Sequence, residues 1–435
     1  MDSKLESKVD ASVGMSRKWD AREAGKEVAR EVIQKLNSPP SFFLLFSTIH
    51  YDKHGGFEEF LNGVWDVLPE GTPLIGGTVA GFMNNYGCYA RGATALAVSY
   101  PNMDVAVGIG KHTKRNPKGA ARQCSTMIRN QLRDSSYNYK FLINSISGPT
   151  IPSIPFFGRV NFIKSKLLGS FFSYVGMPLT EYLGFGIGKE EDIVDELGNQ
   201  LNDYHIIGSS TMDDGKQIAC FQFCEDKVYK NAIVALGGSI DVPIFLKGVV
   251  DLQDTDKKFR INKTTFGNRI ITNINGNSAK KQFLDVMQLP DDVYGGLSPF
   301  YYKTSNYFPI TFEGEREFVS GVGAFLGNNI LLGYKARGDD AIILSVSGRQ
   351  SLKTIDKIFS DNQQKNFPFV FITASGIRFI NMIGDRVYDV KEKLDYYLKN
   401  VPYLMIGSVN ENIGHPGNRT FSRVYSFNAL SFQNI

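Results

Sequence analysis

Cysteine is scarce in this chain. The 435 residues hold four, Cys88, Cys124, Cys220 and Cys224, and no two of them form a Cys-x-x-Cys pair. Nothing in that usage points to an oxidising compartment, so free thiols are expected. Cys220 and Cys224, four apart in a segment that reads as a strand, are expected on one face as small core or half-exposed residues. Long apolar runs are missing as well. No 18 consecutive apolar residues occur, so no membrane-spanning helix is expected. The nearest approach, Phe156 to Gly188, is interrupted by Arg159, Lys164, Lys166 and Glu181. The opening MDSKLESKVDASVGMSRKWD has no apolar h-region, so no export signal is expected and a cytoplasmic location follows. The glycosylation sequons at Asn262 and Asn418 then read as chance. A dominant charge is lacking too. Lys plus Arg number 48 against 44 Asp plus Glu, and a net +4 over this length is no electrostatic footprint for nucleic acid.

Catalytic signatures are equally absent. There is no Gly-x-Ser-x-Gly, no His-Glu-x-x-His and no P-loop lysine motif, and Gly108-Ile109-Gly110 lacks the third glycine of a dinucleotide fingerprint. The five histidines, His50, His54, His112, His205 and His415, have no zinc-ligand companions at suitable spacing. His50 and His54 flank Asp52 in a Gly-rich loop, which reads as solvated more readily than as metal-binding. No nucleophile has a partner at the level of sequence, so no hydrolase or transferase activity is expected and the chain reads as a non-enzyme.

What is present is the composition of a globular protein with a sizeable core: 42% hydrophobic and 21% charged residues. At about 100–200 residues per domain, the length fits two or three domains. Glycine, at 43 residues, exceeds its usual share of about 7%, and much of it follows apolar runs. Residues 1–20 read as a flexible arm. Helical spacing of apolar residues marks 21–36, 57–68, 117–133, 190–201, 278–288, 353–360 and 387–399. Short apolar or alternating runs mark strands at 41–48, 73–77, 93–99, 105–109, 139–146, 369–374, 403–406 and 420–432. Residues 219–255 and 300–347 read as strand-rich, the latter with turns at Gly327-Asn328 and Gly338-Asp339. The alternation predicts a two-domain layered α/β protein with mixed sheets, divided near 240–270 where the charged stretch Asp251 to Lys258 lies. Residues 149–185, rich in Pro and aromatics, read as a long excursion. It either packs on the body or serves as a lid or partner-docking surface.

One local pattern occurs three times: Pro73-Leu74-Ile75-Gly76-Gly77-Thr78-Val79-Ala80-Gly81, His205-Ile206-Ile207-Gly208-Ser209-Ser210-Thr211-Met212-Asp213-Asp214, and Tyr403-Leu404-Met405-Ile406-Gly407-Ser408-Val409-Asn410-Glu411. Each is a short apolar strand, then Ile-Gly, then small or polar residues. Glycine at a strand's carboxyl end permits close backbone approach, and ligands of open α/β sheets bind outside such ends. Three such ends could line one pocket between the domains, or Ile-Gly-small could simply be how a buried strand stops.

These motifs, with the strands 93–98 and 105–110 that follow the first of them, resemble the FIST family. Residues 75–81 resemble its glycine-rich loop, 207–214 its Gly-Gly-Ser-Ala-x-Asp element, and 401–414 with Asn418-Arg419-Thr420 its closing segment. Asn410-Glu411-Asn412 departs from the family's Gly-Glu, and Arg378 stands without the family's preceding Cys. The resemblance implies an arm and helix over 1–38, an N-terminal FIST-like domain over 39–255 with an insertion at about 149–185, and a C-terminal one over 256–435. It further implies a sensory module in intracellular signal transduction that binds a small, possibly amino-acid-like ligand and hands its signal to a separate output protein, since no output segment is recognised after Ile435.

The candidate ligand-binding residues are Gly76, Gly77, Thr78, Gly81, Ser209, Ser210, Asp213, Asp214, Arg378, Asn410 and Glu411. Asp213 and Asp214 would meet a cationic group or merely form a turn or helix cap. Arg378 and Glu411 would hold the two ends of a zwitterion or simply make salt bridges. No cofactor is expected. Two alternatives stand beside this reading. One is a haem-binding nitric-oxide sensor with His205 or His415 as axial ligand. The other is an adaptor for a protein partner, although residues 1–40 show no F-box-like helices.

Overall fold

The recurring Ile-Gly strand is the third strand of a unit that the chain builds three times. The computed structural model describes residues 8–151, 153–154, 158–159, 162–163, 165–289, 309–345, 348–362, 366–376 and 387–433. The first unit runs β1 (Asp10–Ser16), α1 (Ala21–Ile33), β2 (Phe42–Ser47), α2 (Phe57–Trp65), β3 (Leu74–Thr78), a hairpin of β4 (Gly81–Asn84) and β5 (Gly87–Tyr89), and β6 (Ala93–Ser99). The second opens with β7 (Met103–Lys111), α3 (Pro117–Gln131) and β8 (Tyr139–Ser147). An excursion follows with β9 (Ser153–Ile154), β10 (Gly158–Arg159), β11 (Phe162–Ile163), α4 (Lys166–Phe171) and α5 (Met177–Tyr182). The unit resumes with α6 (Glu190–Gln200), β12 (His205–Thr211), the hairpin β13 (Gln222–Cys224) and β14 (Lys227–Tyr229), and β15 (Ala232–Ile240).

The third unit starts with β16 (Ile244–Val249) and is at once interrupted by an insertion. The insertion holds β17 (Gln253–Thr265), β18 (Ile270–Ile274), β19 (Asn277–Ser278), α7 (Ala279–Met287), β20 (Pro309–Phe312), β21 (Ser320–Leu326), β22 (Asn329–Leu332) and β23 (Asp340–Ser345). The unit then completes itself with α8 (Gly348–Phe359), β24 (Val370–Ser375), α9 (Val387–Leu398), β25 (Tyr403–Ser408), the hairpin β26 (Glu411–Gly414) and β27 (Phe421–Arg423), and β28 (Phe427–Phe432).

Three six-stranded sheets result, with one order and one set of directions: β1-β6-β2-β3-β13-β14, β7-β15-β8-β12-β26-β27 and β16-β28-β24-β25-β4-β5. In each, the second and third strands of the unit pair in parallel and the remaining neighbours are antiparallel. The outer hairpin never belongs to its own unit. β4-β5 leaves the first unit to pair with β25, placing Gly81 against Gly407 and Phe82 against Ile406. β26-β27 leaves the third to pair with β12, placing Glu411 against Ser209. β13-β14 leaves the second to pair with β3, placing Phe223 against Gly76. The exchange is cyclic, and the pairing of β12 with β26 and of β16 with β28 runs across position 255.

Burial follows from the alternation of side chains along each strand. One face of all three sheets meets in a common core: Phe42, Leu44 and Phe46 from the first, Phe141, Ile143 and Leu236 from the second, Phe371, Leu404 and Phe432 from the third. Phe141 lies 6.0 Å from Phe42 and 5.0 Å from Phe432 between ring centres, and Phe46 stacks on Phe371 at 5.8 Å. The opposite faces are covered by α1 and α2, by α3 and α6, and by α8 and α9. The insertion has its own core inside an eight-stranded sheet that β11 of the excursion joins.

The expected helices and strands form with end shifts of a few residues, and the start of the chain differs. Residues 10–16, read as part of an arm, form β1, an edge strand in register with β6 (Val13 opposite Leu96). Val9 and Val13 point into the common core while Ser12, Gly14 and Ser16 face α1, so the strand is buried on both sides. Cys224 lies in β13 and Cys220 precedes it; both are buried, and all four thiols are free.

Because Phe141 touches two other sheets, Phe141→Ala is expected to cost about 3–5 kcal/mol. Guanidinium unfolding followed by circular dichroism should still show one cooperative transition. A separate early step for one sheet would contradict a shared core.

Candidate functional site

The hairpin exchange brings the three Ile-Gly strand ends together. Met212 N donates to Thr78 O at 2.9 Å, Ser210 N to Asn410 O at 2.8 Å, and Ala80 N to Gly407 O at 3.0 Å. The glycines are there for packing. A Cβ on Gly76 would fall 1.7 Å from Leu45 O, and one on Gly208 2.3 Å from Asn144 Cγ. Asn144 is held in turn by a reciprocal pair of 3.0 Å hydrogen bonds with Asn412.

The sequence-derived candidates divide into three groups. Gly76, Gly77 and Thr78 are buried inside the first sheet, where Thr78 Oγ1 accepts from Phe221 N at 3.0 Å, and Gly81 opens β4 beside Gly407. Asp213 and Glu411 are buried but taken up by protein donors. Asp213 accepts from Gln217 N and Ile218 N at 2.8 and 2.7 Å, which closes the loop after β12. Glu411 accepts from Ser408 Oγ at 2.9 Å and from Ser426 N and Oγ at 3.0 and 3.2 Å. Asp214 is exposed and paired with Lys216. Arg378 lies outside the described residues. Ser209, Ser210 and Asn410 remain. Ser209 sits opposite Glu411, Asn410 lines a cavity, and Ser210 Oγ donates at 3.0 Å to the carboxylate of Glu190, which lines the same cavity.

That cavity has a volume of about 90 Å³. A water needs roughly 10–15 Å³ on the same measure, so a small organic molecule fits. The excursion supplies one wall with Phe172, Met177 and Thr180, and the insertion supplies another with Ala324, Leu326 and Leu331. The polar lining comes from Thr150, Thr180, Glu190, Gln217 and Asn410, and no Lys, Arg or His is among the described lining residues. Thr150 Oγ1 is buried with no hydrogen-bond partner among the described residues. Leaving such a group unpaired costs about 1–3 kcal/mol.

The first turn of α6 organises the surroundings. Glu190, Glu191 and Asp192 follow one another there, where the helix dipole favours negative charge. Glu190 turns to the cavity. Glu191 and Asp192 hold the buried Arg269 of the insertion at 2.6 and 3.2 Å, and Asp192 also pairs with Lys335 at 2.6 Å. Burial pushes Glu191 above the ordinary carboxylate range, partly opposed by Arg269. The neck of the excursion is tied by backbone bonds between Thr150 and Gly186, both 2.8 Å. Lys114 braces it: its buried ammonium sits on the carbonyls of Gly148 and Gly186, and burial pushes its pKa below the ordinary lysine value. Sequence reasoning missed Thr150, Glu190, Lys114 and Arg269. The one available signal was three consecutive acids opening a predicted helix, which any exposed helix start also shows.

His205 and His415 sit together at the far end of β12, ring centres 6.1 Å apart and edge to face, with His205 Nδ1 at 3.3 Å from Lys140 O. Five residues of strand, roughly 17 Å, separate His205 from Ser210. Neither histidine lines the cavity. Among the described residues, no group of three or more His, Cys, Asp or Glu side chains could hold a metal ion, and no helix is long and apolar enough to cross a membrane.

Removing Arg269 takes the ion pair from the buried Glu191, while Asp192 keeps Lys335. Arg269→Met is therefore expected to cost about 3–5 kcal/mol, read by denaturant unfolding. The two histidines give a pH dependence. Burial pushes both below the ordinary value of 6.5, so they are neutral in the fold while the unfolded chain takes up protons first. Their stabilising contribution is complete above pH 6.5 and lost as pH falls below it. His205→Gln with His415→Gln should flatten the slope of unfolding free energy in that range.

A family model of the FIST N domain matches residues 41–277, more than half of the chain. The match takes in the first unit from β2 onward, without β1 and α1, the whole second unit with its excursion, β16 and the start of the insertion. No curated protein matches the sequence.

Proposed function

The chain belongs to the FIST family, and we propose that it is a sensory module that binds a small molecule in the cavity beside α6 without turning it over. FIST domains are generally associated with sensing of small ligands in signal transduction. The observation that carries the proposal is chemical. An apolar chamber holds a buried carboxylate, Glu190, and a hydroxyl, Thr150 Oγ1, that has no hydrogen-bond partner among the described residues. Pockets for small molecules share this design, mostly apolar walls with a few placed polar groups. Because the described lining has an anion and no cation, the ligand is a small amine with an apolar body. An amino acid would leave its carboxylate without a cationic partner there. The site lies between the second unit and the insertion of the third, so occupancy bears on how these two parts are held. In this reading the protein is cytoplasmic, needs no cofactor, and passes its signal to a separate output protein.

A thermal-shift screen of small amines, amino acids and carboxylates tests the proposal. At a ligand concentration about 100 times its Kd, the stabilisation is about 2.7 kcal/mol. Amines are expected to raise the melting temperature and carboxylates to leave it unchanged. Glu190→Gln should remove the amine shift while keeping the fold, since the amide oxygen still accepts from Ser210. Ala324→Phe, which fills the cavity, should abolish every shift. A hit that keeps its full shift in both variants would place the binding site elsewhere.

A further inference from the structure

The excursion, which supplies one wall of the cavity, carries a second feature on other side chains. From Lys166 to Tyr182, α4, a π-helical turn (Phe172–Gly176) and α5 follow one another without a break. A soluble helix turns its large apolar residues inward and its small or polar ones outward. This rod does the reverse. Its buried positions are Gly169, Ser173, Gly176, Met177 and Glu181, and the small ones let it lie close against the insertion. A Cβ on Gly169 would stand 2.4 Å from Gly327 N. Facing outward are Leu167, Phe171, Tyr174, Val175, Leu179 and Tyr182, each at least half exposed, with Leu167 at 85%. Of the sixteen exposed large hydrophobics among the described residues, nine fall between Leu167 and Phe185. Single exposed apolar residues need no explanation; a cluster of this density marks a contact surface.

We propose that this face docks the protein on an anionic lipid surface, with the rod lying in the plane of the interface. Three observations favour lipid as the occupant. The outward face offers few hydrogen-bonding groups, whereas a protein interface uses about one hydrogen bond per 100–200 Å². The groups it does have include the phenols of Tyr174 and Tyr182, side chains with an apolar body and a polar tip that suit the headgroup boundary. The charge pattern is one-sided. From 165 to 185 the exposed ionic side chain is Lys166, the single carboxylate, Glu181, is buried against Lys189, and the exposed Arg115 lies over the ring of Tyr182 at 5.5 Å. Cations around an apolar helical face, with no exposed acid on it, match an anionic bilayer. Seventeen residues make a rod of roughly 25 Å, short of the ~20 residues that span a bilayer, so the contact is peripheral.

Flotation of the full chain with vesicles tests this. Vesicles of phosphatidylcholine containing about one third phosphatidylserine should bind ~tenfold more protein than phosphatidylcholine alone, and high salt should remove that difference. The double variant Leu167→Glu, Phe171→Glu should lose vesicle binding at an unchanged melting temperature, because both side chains are exposed. Leu168→Trp should show blue-shifted emission when anionic vesicles are added. The proposal fails if the chain floats with neither lipid or if the double variant floats as well as the parent. It also fails if the chain is a dimer that Leu167→Glu dissociates while vesicles bind nothing, since a second copy then covers the face.

Discussion

Among the described residues, each six-stranded sheet has one apolar face that packs on the same faces of the other two sheets rather than on a helix. Phe42, Phe141 and Phe432 meet where the three come together. No sheet can reach its final form from its own unit alone, because the strand beside each Ile-Gly strand comes from a neighbouring unit. The requirement that three faces close on one another sets the lengths of the inner strands, the large residues along them, and the glycines that let their ends approach.

With this frame fixed, the two large additions have defined places. The excursion leaves the second unit after β8, and the insertion leaves the third after β16. They meet above the first turn of α6. The buried Arg269 fastens the insertion to Glu191 and Asp192, while the adjacent Glu190 stays turned to the cavity and accepts from Ser210. Three neighbouring acids thus divide between holding the insertion and equipping the cavity. A ligand that neutralises Glu190 acts within one helical turn of the ion pairs that secure the insertion.

Much of the frame was legible in the sequence. β2 is a continuous apolar run and β24 and β25 open on shorter ones, and such runs have few alternatives to a buried strand. The three Ile-Gly motifs were visible as a recurrence. What was not visible is that they are equivalent strands of three sheets whose hairpins trade places, because pairing partners leave no mark on local sequence. β1 was misread because Ser12, Gly14 and Ser16 dilute its apolar signal, yet these small residues are what let α1 lie against it. Asp213 and Glu411 looked like ligand contacts because a carboxylate beside a glycine turn has the same sequence whether it binds a ligand or the turn's own N–H groups. Asn410 and Ser210, at the cavity, were reached through the Ile-Gly motifs; Thr150, Lys114 and an acidic helix start become distinctive only when distant segments come together around them.

The exchanged hairpins also govern when the fold can be completed during synthesis. β4 pairs with β25, so Gly81 waits for Gly407, 326 positions later. At ~5–20 residues per second, a ribosome needs roughly 15–65 s to deliver that partner. Until then β4 and β5 have no sheet to join, and β3 lacks its neighbour until β13 emerges. Non-local pairing of this kind slows folding, and unpaired edges invite association between nascent chains. The cyclic exchange therefore ties the three units of the finished protein together while leaving the growing chain with open strand edges until its last third is made.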